Sequence, residues 1–364
     1  MHAKIGLIAI TVALGLTACS GSSPAVPPPS PGMPAAVGRP LEHAAEYAVT
    51  DLGTLGGPYS SARAINAAGE VTGIVSRSDG AAHAFTYTFA GGMVDIGSLG
   101  GTIAVGNGID RAGDVAGYST KADGTYHAFL YRNGTMKDIG DLGGGSATAY
   151  ALNDDGVVVG SAYTADDVAD PFLYKQGKMK DLGTLGSHAP DDWNNAAGIN
   201  DSQQVVGISY DTLGNFLGFL WSKGQMQSLG TLGGDWSDAE AINAKGQITG
   251  QAYTSGNLQA HAFLWSRGKM KDLGVLPGSS GYSWGIGING AGVVVGRSQQ
   301  PQGSTYVDHA FIWSGGKMRD LNSLISPKSG WLLNIASAIN DSGQIAGDGT
   351  IAGQTHAFLL TPRN

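Results

Sequence analysis

From Tyr47 to Pro362, short apolar runs alternate with clusters of Gly, Asn, Asp, Ser and Lys, and this alternation recurs seven times with a period of about 45 residues. The fifth copy shows the unit most clearly. It opens with S-L-G-T-L-G-G-D-W-S-D-A-E-A-I-N-A-K-G-Q-I-T-G-Q-A-Y and continues through H-A-F-L-W-S-R-G-K-M, after which K-D-L-G leads into the next copy. Each unit divides into four strand-like runs, A to D. Strand A ends on a landmark that reads Ala64-Ile65-Asn66, Gly108-Ile109-Asp110, Ala151-Leu152-Asn153, Gly198-Ile199-Asn200, Ala241-Ile242-Asn243, Gly287-Ile288-Asn289 and Ala338-Ile339-Asn340. A tight turn such as N-D-D-G or N-A-K-G follows, where Asn and Asp cap amides and Gly accepts positive φ. Strand B is of the Val157-Val158-Val159 type, strand C of the H-A-F-L-W type, and strand D reads M-K-D-L-G. Four short strands in each unit of this length is the spacing of propeller blades.

The two ends of the repeat region are complementary fragments. The chain enters on an isolated D-type run, Tyr47 to Gly53, and leaves on a C-type run, His356-Ala357-Phe358-Leu359-Leu360, with no D run after it. Seven A-B-C sets match seven D strands if the first D strand completes the last blade, which closes a ring and removes the sheet edge at the seam. A linear solenoid would instead need a capping unit at each end. The expected fold is therefore all-β, a seven-bladed β-propeller of four-stranded blades over residues 41–364. Composition agrees: only four of the 29 acidic residues are Glu, a helix former, and the chain holds 59 Gly.

The first residues read as an address. Lys4 gives a positive start, Ile5 to Leu16 is an apolar run too short to span a bilayer, and small residues close it. Leu16-Thr17-Ala18-Cys19 resembles the lipobox of bacterial lipoproteins, which implies a signal peptide over residues 1–18, acylation of Cys19 and attachment to an envelope membrane. Ser20 rather than Asp follows the cysteine, and by the same resemblance the outer membrane is the expected address. Cys19 is the single cysteine, so no disulfide can form within the mature chain. Residues 19–40 carry seven prolines among Ser, Gly and Ala, a tether that cannot pack a core and reaches roughly 60 Å when extended.

Charge removes one class of partner. The chain has a net charge of -8, and no Lys/Arg cluster follows any strand or loop, so a nucleic-acid partner is not expected. Apart from the lipid no membrane attachment is expected, and the ring is read as a monomer without cofactor or metal.

Taken together, H-A-F, the preceding I-N-x-x-G and V-V-G, and the linking D-L-G-x-L-G-G resemble the HAF family of bacterial extracellular repeat proteins over nearly all of the mature chain. His-Ala-Phe stands as such in five units, at His83, His127, His261, His309 and His356, while two units read Asp170-Pro171-Phe172 and Leu217-Gly218-Phe219. The resemblance implies an exported repeat protein and no particular chemistry.

Equivalent residues of successive blades lie roughly 10 Å or more apart, whereas ligand atoms stand about 2 Å from a metal, so the histidines read as hydrogen-bonding groups tying strand C to a neighbouring turn. The phenylalanines three residues into the same motif read as core between blades. Gly281-Tyr282-Ser283-Trp284-Gly285 has the form of a nucleophile elbow, but the repeat supplies no strand-to-helix turn for it. Asp166, Asp167, Asp170, Asp191 and Asp192 read as a solvated acidic face rather than a hard-cation site.

Comparison of the units is more informative. Seven residues before the landmark asparagine stand Tyr59, Trp193, Trp236 and Tyr282, with Trp284 and Trp331 nearby, an aromatic set expected in the loops from strand D to strand A. Three residues before the landmark the side chain changes freely, as Arg63, Asn107, Tyr150, Ala197, Glu240, Ile286 and Ser337. Free variation over a rigid scaffold is where function can be written. Aromatic faces with Arg63 and Glu240 suit a non-catalytic recognition module for a glycan or protein. An envelope scaffold without a small ligand, and a lyase or hydrolase using Arg63, Asp238, Glu240 or Tyr150, are the alternatives.

Overall fold

Every apolar run of the repeat forms a strand. The computed structural model describes residues 46–187, 189 and 192–363; among these there are 28 strands, one 3₁₀ turn at Leu321–Leu324 and no α-helix. Residues 1–45, which include the expected signal peptide, Cys19 and the expected tether, lie outside the described residues, as does Asp191. Five four-stranded antiparallel sheets follow one another along the chain, each containing the A, B, C and D strands of one repeat in order. The remaining strands form one eight-stranded sheet, in which a single Tyr59–Thr355 bridge joins the first unit to the last. There Tyr47–Gly53 pairs antiparallel with Gln354–Pro362, Val49 opposite Leu360. The first D-type run is thus the fourth strand of the last unit.

The core lies between units rather than within them. Phe85, Phe129, Phe172, Phe219, Phe263, Phe311 and Phe358 are all fully buried. Each hydrophobic cluster draws on two units: Leu220 and Leu229 of the fourth pack with Ile248 and Phe263 of the fifth. Likewise Ala346 and Leu359 of the last unit pack with Val71 and Phe85 of the first.

The landmark asparagines add a polar seam. Asn243 accepts the Lys245 and Gln247 amides through Oδ1, and its Nδ2 donates to Asn289 O at 2.9 Å in the next unit. The same inter-unit bond runs from Asn66 to Asp110 O, Asn153 to Asn200 O, Asn200 to Asn243 O, Asn289 to Asn340 O and Asn340 to Asn66 O. One link lacks its amide donor, because the second landmark carries Asp110, whose Oδ1 accepts the Ala112 and Asp114 amides. Burial raises the Asp110 pKa, so its ionised form costs stability. Asp110→Asn keeps the turn, restores an amide donor and removes that cost. It is expected to raise the unfolding free energy by about 1 kcal/mol at pH 7. The gain should shrink as pH falls toward the ordinary carboxylate value near 4, where Asp110 is protonated in both states. Urea unfolding at two pH values measures both effects.

Candidate functional site

The freely varying position of strand A proves to be a β-bulge in every unit. Ala62 pairs with Gly73 and Ala64 with Thr72, which leaves Arg63 as the extra residue; the same shift sets apart Asn107, Tyr150, Ala197, Glu240, Ile286 and Ser337. A bulge re-aims a side chain that the ladder would otherwise fix. Small neighbours make room for it, since Ala62, Ala149, Ala196, Ala239 and Ala336 are fully buried. Two residues earlier on strand A stand Ser61, Asp238 and Trp284, and across the ladder Asp238 faces Gln251, Trp284 faces Arg297 and Ile335 faces Asp348.

These side chains influence one another across units. The Arg63 charge acts on Tyr118 of the second unit, Glu240 of the fifth and Asp348 of the last. Arg297 of the sixth unit acts on Glu240 and Asp348. Tyr150 of the third unit is held well above the ordinary tyrosine range by burial, with Tyr118, Glu240 and Asp238 adding to it. Burial also raises Asp238, which the charge of Glu240 pushes further and which donates a hydrogen bond to the Glu240 carboxylate. Glu240 is raised by burial as well, against the pull of the Asp238 hydrogen bond, Arg297, Trp284 and Arg63. Asp348 is raised by burial although Ser61 Oγ donates to it at 2.8 Å. Arg63 Nε, the Tyr150 hydroxyl and Asn195 Oδ1 are buried polar atoms without a hydrogen-bond partner among the described residues. The arrangement is a concentration of charge and unspent hydrogen-bonding capacity on strands A and B of the units.

The aromatic set disperses around this centre. Tyr59, Trp236, Trp284 and Trp331 lie within strands Gly56–Ile65, Gly233–Ile242, Ser283–Ile288 and Trp331–Ile339 rather than in loops. The reason is local: strand A begins early and leaves the regular ladder, and side chains bridge the gap. Ser76 Oγ accepts the Tyr59 amide, and Asn257 Oδ1 accepts the Asp235 amide beside Trp236. Tyr59 is raised by burial and by Asp348, so it belongs to the charged centre. Trp236 packs on Tyr253 at 5.4 Å and Trp193 near Phe216 at 6.2 Å. Trp331 packs edge-on against Phe358 in the core of the last unit. Tyr282 is exposed, and the Trp284 ring lies 4.9 Å from the Arg297 guanidinium.

The repeated histidines point away from this centre in role. His83, His261 and His356 stand 3.0 Å, and His309 2.7 Å, from the strand D aspartates Asp95, Asp272, Asp51 and Asp320. His127 Nδ1 is 3.0 Å from Asp138. Each of these aspartates also accepts an amide two residues on, from Gly97, Gly140, Gly274, Asn322 or Gly53. The unit with Leu217 in place of histidine carries Ser228 in place of the aspartate, so donor and acceptor are lost together. Asp170 occupies the histidine position of the third unit inside a strand and is fully buried, not part of a solvated face. No group of three metal-binding side chains occurs among the described residues.

Sequence comparison of strand A alone did not single out Tyr118, Gln251, Arg297 and Asp348. All four directly follow the glycine of the V-x-G or I-x-G run of strand B, where other units have Ile74, Ser161 and Ile208, so a second freely varying position carried the signal.

No protein-family model and no curated protein matches the chain. Among solved structures it is similar to a prolyl endopeptidase, from a study of two such enzymes and the role of inter-domain dynamics in catalysis and specificity, at 11% identity, over 88% of this chain and 51% of that chain, with a TM-score of 0.51. It is also similar to TolB from Acinetobacter baumannii, at 12% identity over 81% of this chain and 64% of that chain (TM-score 0.47). YCF48 bound to a D1 peptide matches at 10% identity over 88% and 98% (TM-score 0.45). The chain spans less than two thirds of the endopeptidase and TolB chains. These neighbours are propeller-like proteins, and at such identity the likeness concerns the fold alone: four-stranded sheets in a β-propeller architecture.

Proposed function

We propose that the chain is an exported HAF-repeat lipoprotein, anchored through Cys19 to the bacterial envelope at the outer membrane, and that its repeats form a seven-bladed ring closed by Tyr47–Gly53. Its role in this reading is non-catalytic recognition of a glycan or protein at the cell envelope, with the tether holding a monomeric ring off the lipid. Closure is supported by the pairing of Tyr47–Gly53 with the last unit, the Asn340 to Asn66 bond and the cluster shared by first and last units. Recognition is supported by one observation above all. Bulged residues and their neighbours from different units bring Arg63, Tyr150, Asp238, Glu240, Arg297 and Asp348 into mutual electrostatic reach, leaving buried polar atoms unpartnered. Such groups are costly for a scaffold and useful for a binding site.

Thermal unfolding of the chain against panels of glycans, cell-wall fragments and peptides tests this, since a ligand that binds only the folded state must raise the transition. A shift abolished by Arg63→Ala, with the transition of the free variant preserved, is the expected result; a silent panel transfers the argument to an envelope scaffold that binds a protein through the side of a blade. The Asp238–Glu240 pair favours a second reading, a lyase or hydrolase, because two neighbouring carboxyl groups, both raised by burial, can act as acid and base. Turnover of a polysaccharide that disappears in Glu240→Gln would establish it instead.

A further inference from the structure

Beside the charged centre a cleft of about 320 Å³ opens, lined by residues of the fifth and sixth units, among them Gln251, Tyr282, Trp284, Arg297, Gln299 and Asp308. Its polar side chains are each tied down at one end only. Gln251 Nε2 donates to Ser283 O at 3.1 Å, and its Oε1 has no hydrogen bond among the described residues. Gln299 Oε1 accepts from Ser280 Oγ at 2.9 Å, which leaves Nε2 to donate. Arg297 Nη1 donates to Asp308 Oδ2 at 2.8 Å, and the other guanidinium nitrogens and Asp308 Oδ1 have no hydrogen-bond partner among the described residues. Asn334 Nδ2 donates to the Asp308 backbone carbonyl at 3.0 Å and steadies that strand. Trp284 backs the Arg297 guanidinium, while Tyr282, 39% exposed, is held by a bond from its hydroxyl to Leu258 O.

We infer that this cleft binds the end of a neutral saccharide chain, its ring stacked on Tyr282 and its hydroxyls bound by Gln251, Arg297, Gln299 and Asp308. The inference rests on the recognition reading above and names its ligand class. Three features select that class. A sugar hydroxyl donates and accepts at once, and the cleft offers fixed donors next to fixed acceptors. The single cation and single anion of the lining neutralise each other, which disfavours a charged ligand. An exposed, immobilised tyrosine ring supplies a flat face at small entropic cost. The volume lies at the low end of ligand sites, about 300–1,000 Å³, and suits about one or two sugar rings.

The test is calorimetric titration of the full chain with neutral oligosaccharides of varied terminal sugar, with a uronic-acid-terminated oligosaccharide and with peptides. The expected result is binding of a neutral oligosaccharide, weakened at least about tenfold by Tyr282→Ala and by Gln299→Ala. Tyr282→Phe should keep most of the affinity, and Trp193→Ala all of it. Since Tyr282 and Gln299 lie outside the core, thermal unfolding of these variants should match the parent and exclude misfolding as the cause. Binding only of charged sugars or peptides, or binding lost in Arg63→Ala but kept in Tyr282→Ala, would overturn the saccharide cleft and leave recognition standing. Absence of binding by every ligand would overturn both.

Discussion

Gly160→Ala is expected to destabilise the protein by about 3 kcal/mol or more. Gly160 pairs across the ladder with Ala149 at the A-strand bulge. A Cβ there would stand 2.0 Å from the Thr148 carbonyl oxygen, 2.8 Å from Ala149 Cα and 2.8 Å from the Phe172 ring. Two of those neighbours are backbone and the third is a fully buried core side chain, so nothing can yield without parting strands A and B or displacing the core. The equivalent glycines, Gly73, Gly117, Gly207, Gly250, Gly296 and Gly347, would place a Cβ 1.8 to 2.0 Å from the matching carbonyl. Gly124→Ala is the control. Its surroundings are open and only its φ of +84° resists a side chain, which costs about 1–2 kcal/mol. Denaturant midpoints of the two variants should therefore differ clearly. Equal losses would mean that the bulge geometry is not what the glycine serves.

The second large effect concerns the buried carboxyl pair. Asp238 is raised by burial and by Glu240, and a group whose folded-state pKa is raised contributes fully below its unfolded pKa and loses that contribution as pH rises through the folded value. The contribution of Asp238 to wild-type stability should thus decline from about pH 4 upward, until the pH passes the raised Asp238 value. Asp238→Asn keeps a hydrogen-bond donor to Glu240 without a titrating proton. It should match the wild type below about pH 4 and exceed it by on the order of 1–3 kcal/mol at pH 7. Parallel stability curves for the two proteins would show that Asp238 ionises at no cost and that the centre is open to water. The Asp95, Asp138 and Asp272 carboxyls behave oppositely: burial opposes ionisation, but amides and the neighbouring His or Lys hold them below the usual range. Their contribution is present at neutral pH and fades on acidification.

The sequence carries the repeat in register, and that is why four strands per unit, the turn at each landmark asparagine, the fully buried phenylalanines and the pairing of Tyr47–Gly53 with the last C strand could all be read from it. The freely varying residues Arg63, Tyr150 and Glu240 were legible for the same reason. Less legible was anything set by departures from the ladder. The early start of strand A carried Tyr59 and Trp236 out of the expected loops, and the repeat pattern does not encode the Ser76 and Asn257 bridges that hold it. Nor does strand A alone announce Arg297 and Asp348, which stand on strand B directly after Gly296 and Gly347. The acceptor of the repeated histidine was assigned to a turn, whereas the structure routes the contact through the strand D aspartate, which in turn holds the next amide.

The central claim is that the charged centre is kept for a ligand at the expense of stability. The most direct test is one variant measured twice: Asp238→Asn combined with Glu240→Gln, by denaturant unfolding at pH 7 and by titration with whichever glycan or peptide stabilises the parent. The account predicts a protein at least as stable as the parent that no longer binds. A variant that loses stability and still binds as the parent does would contradict it, and would make the centre a structural element.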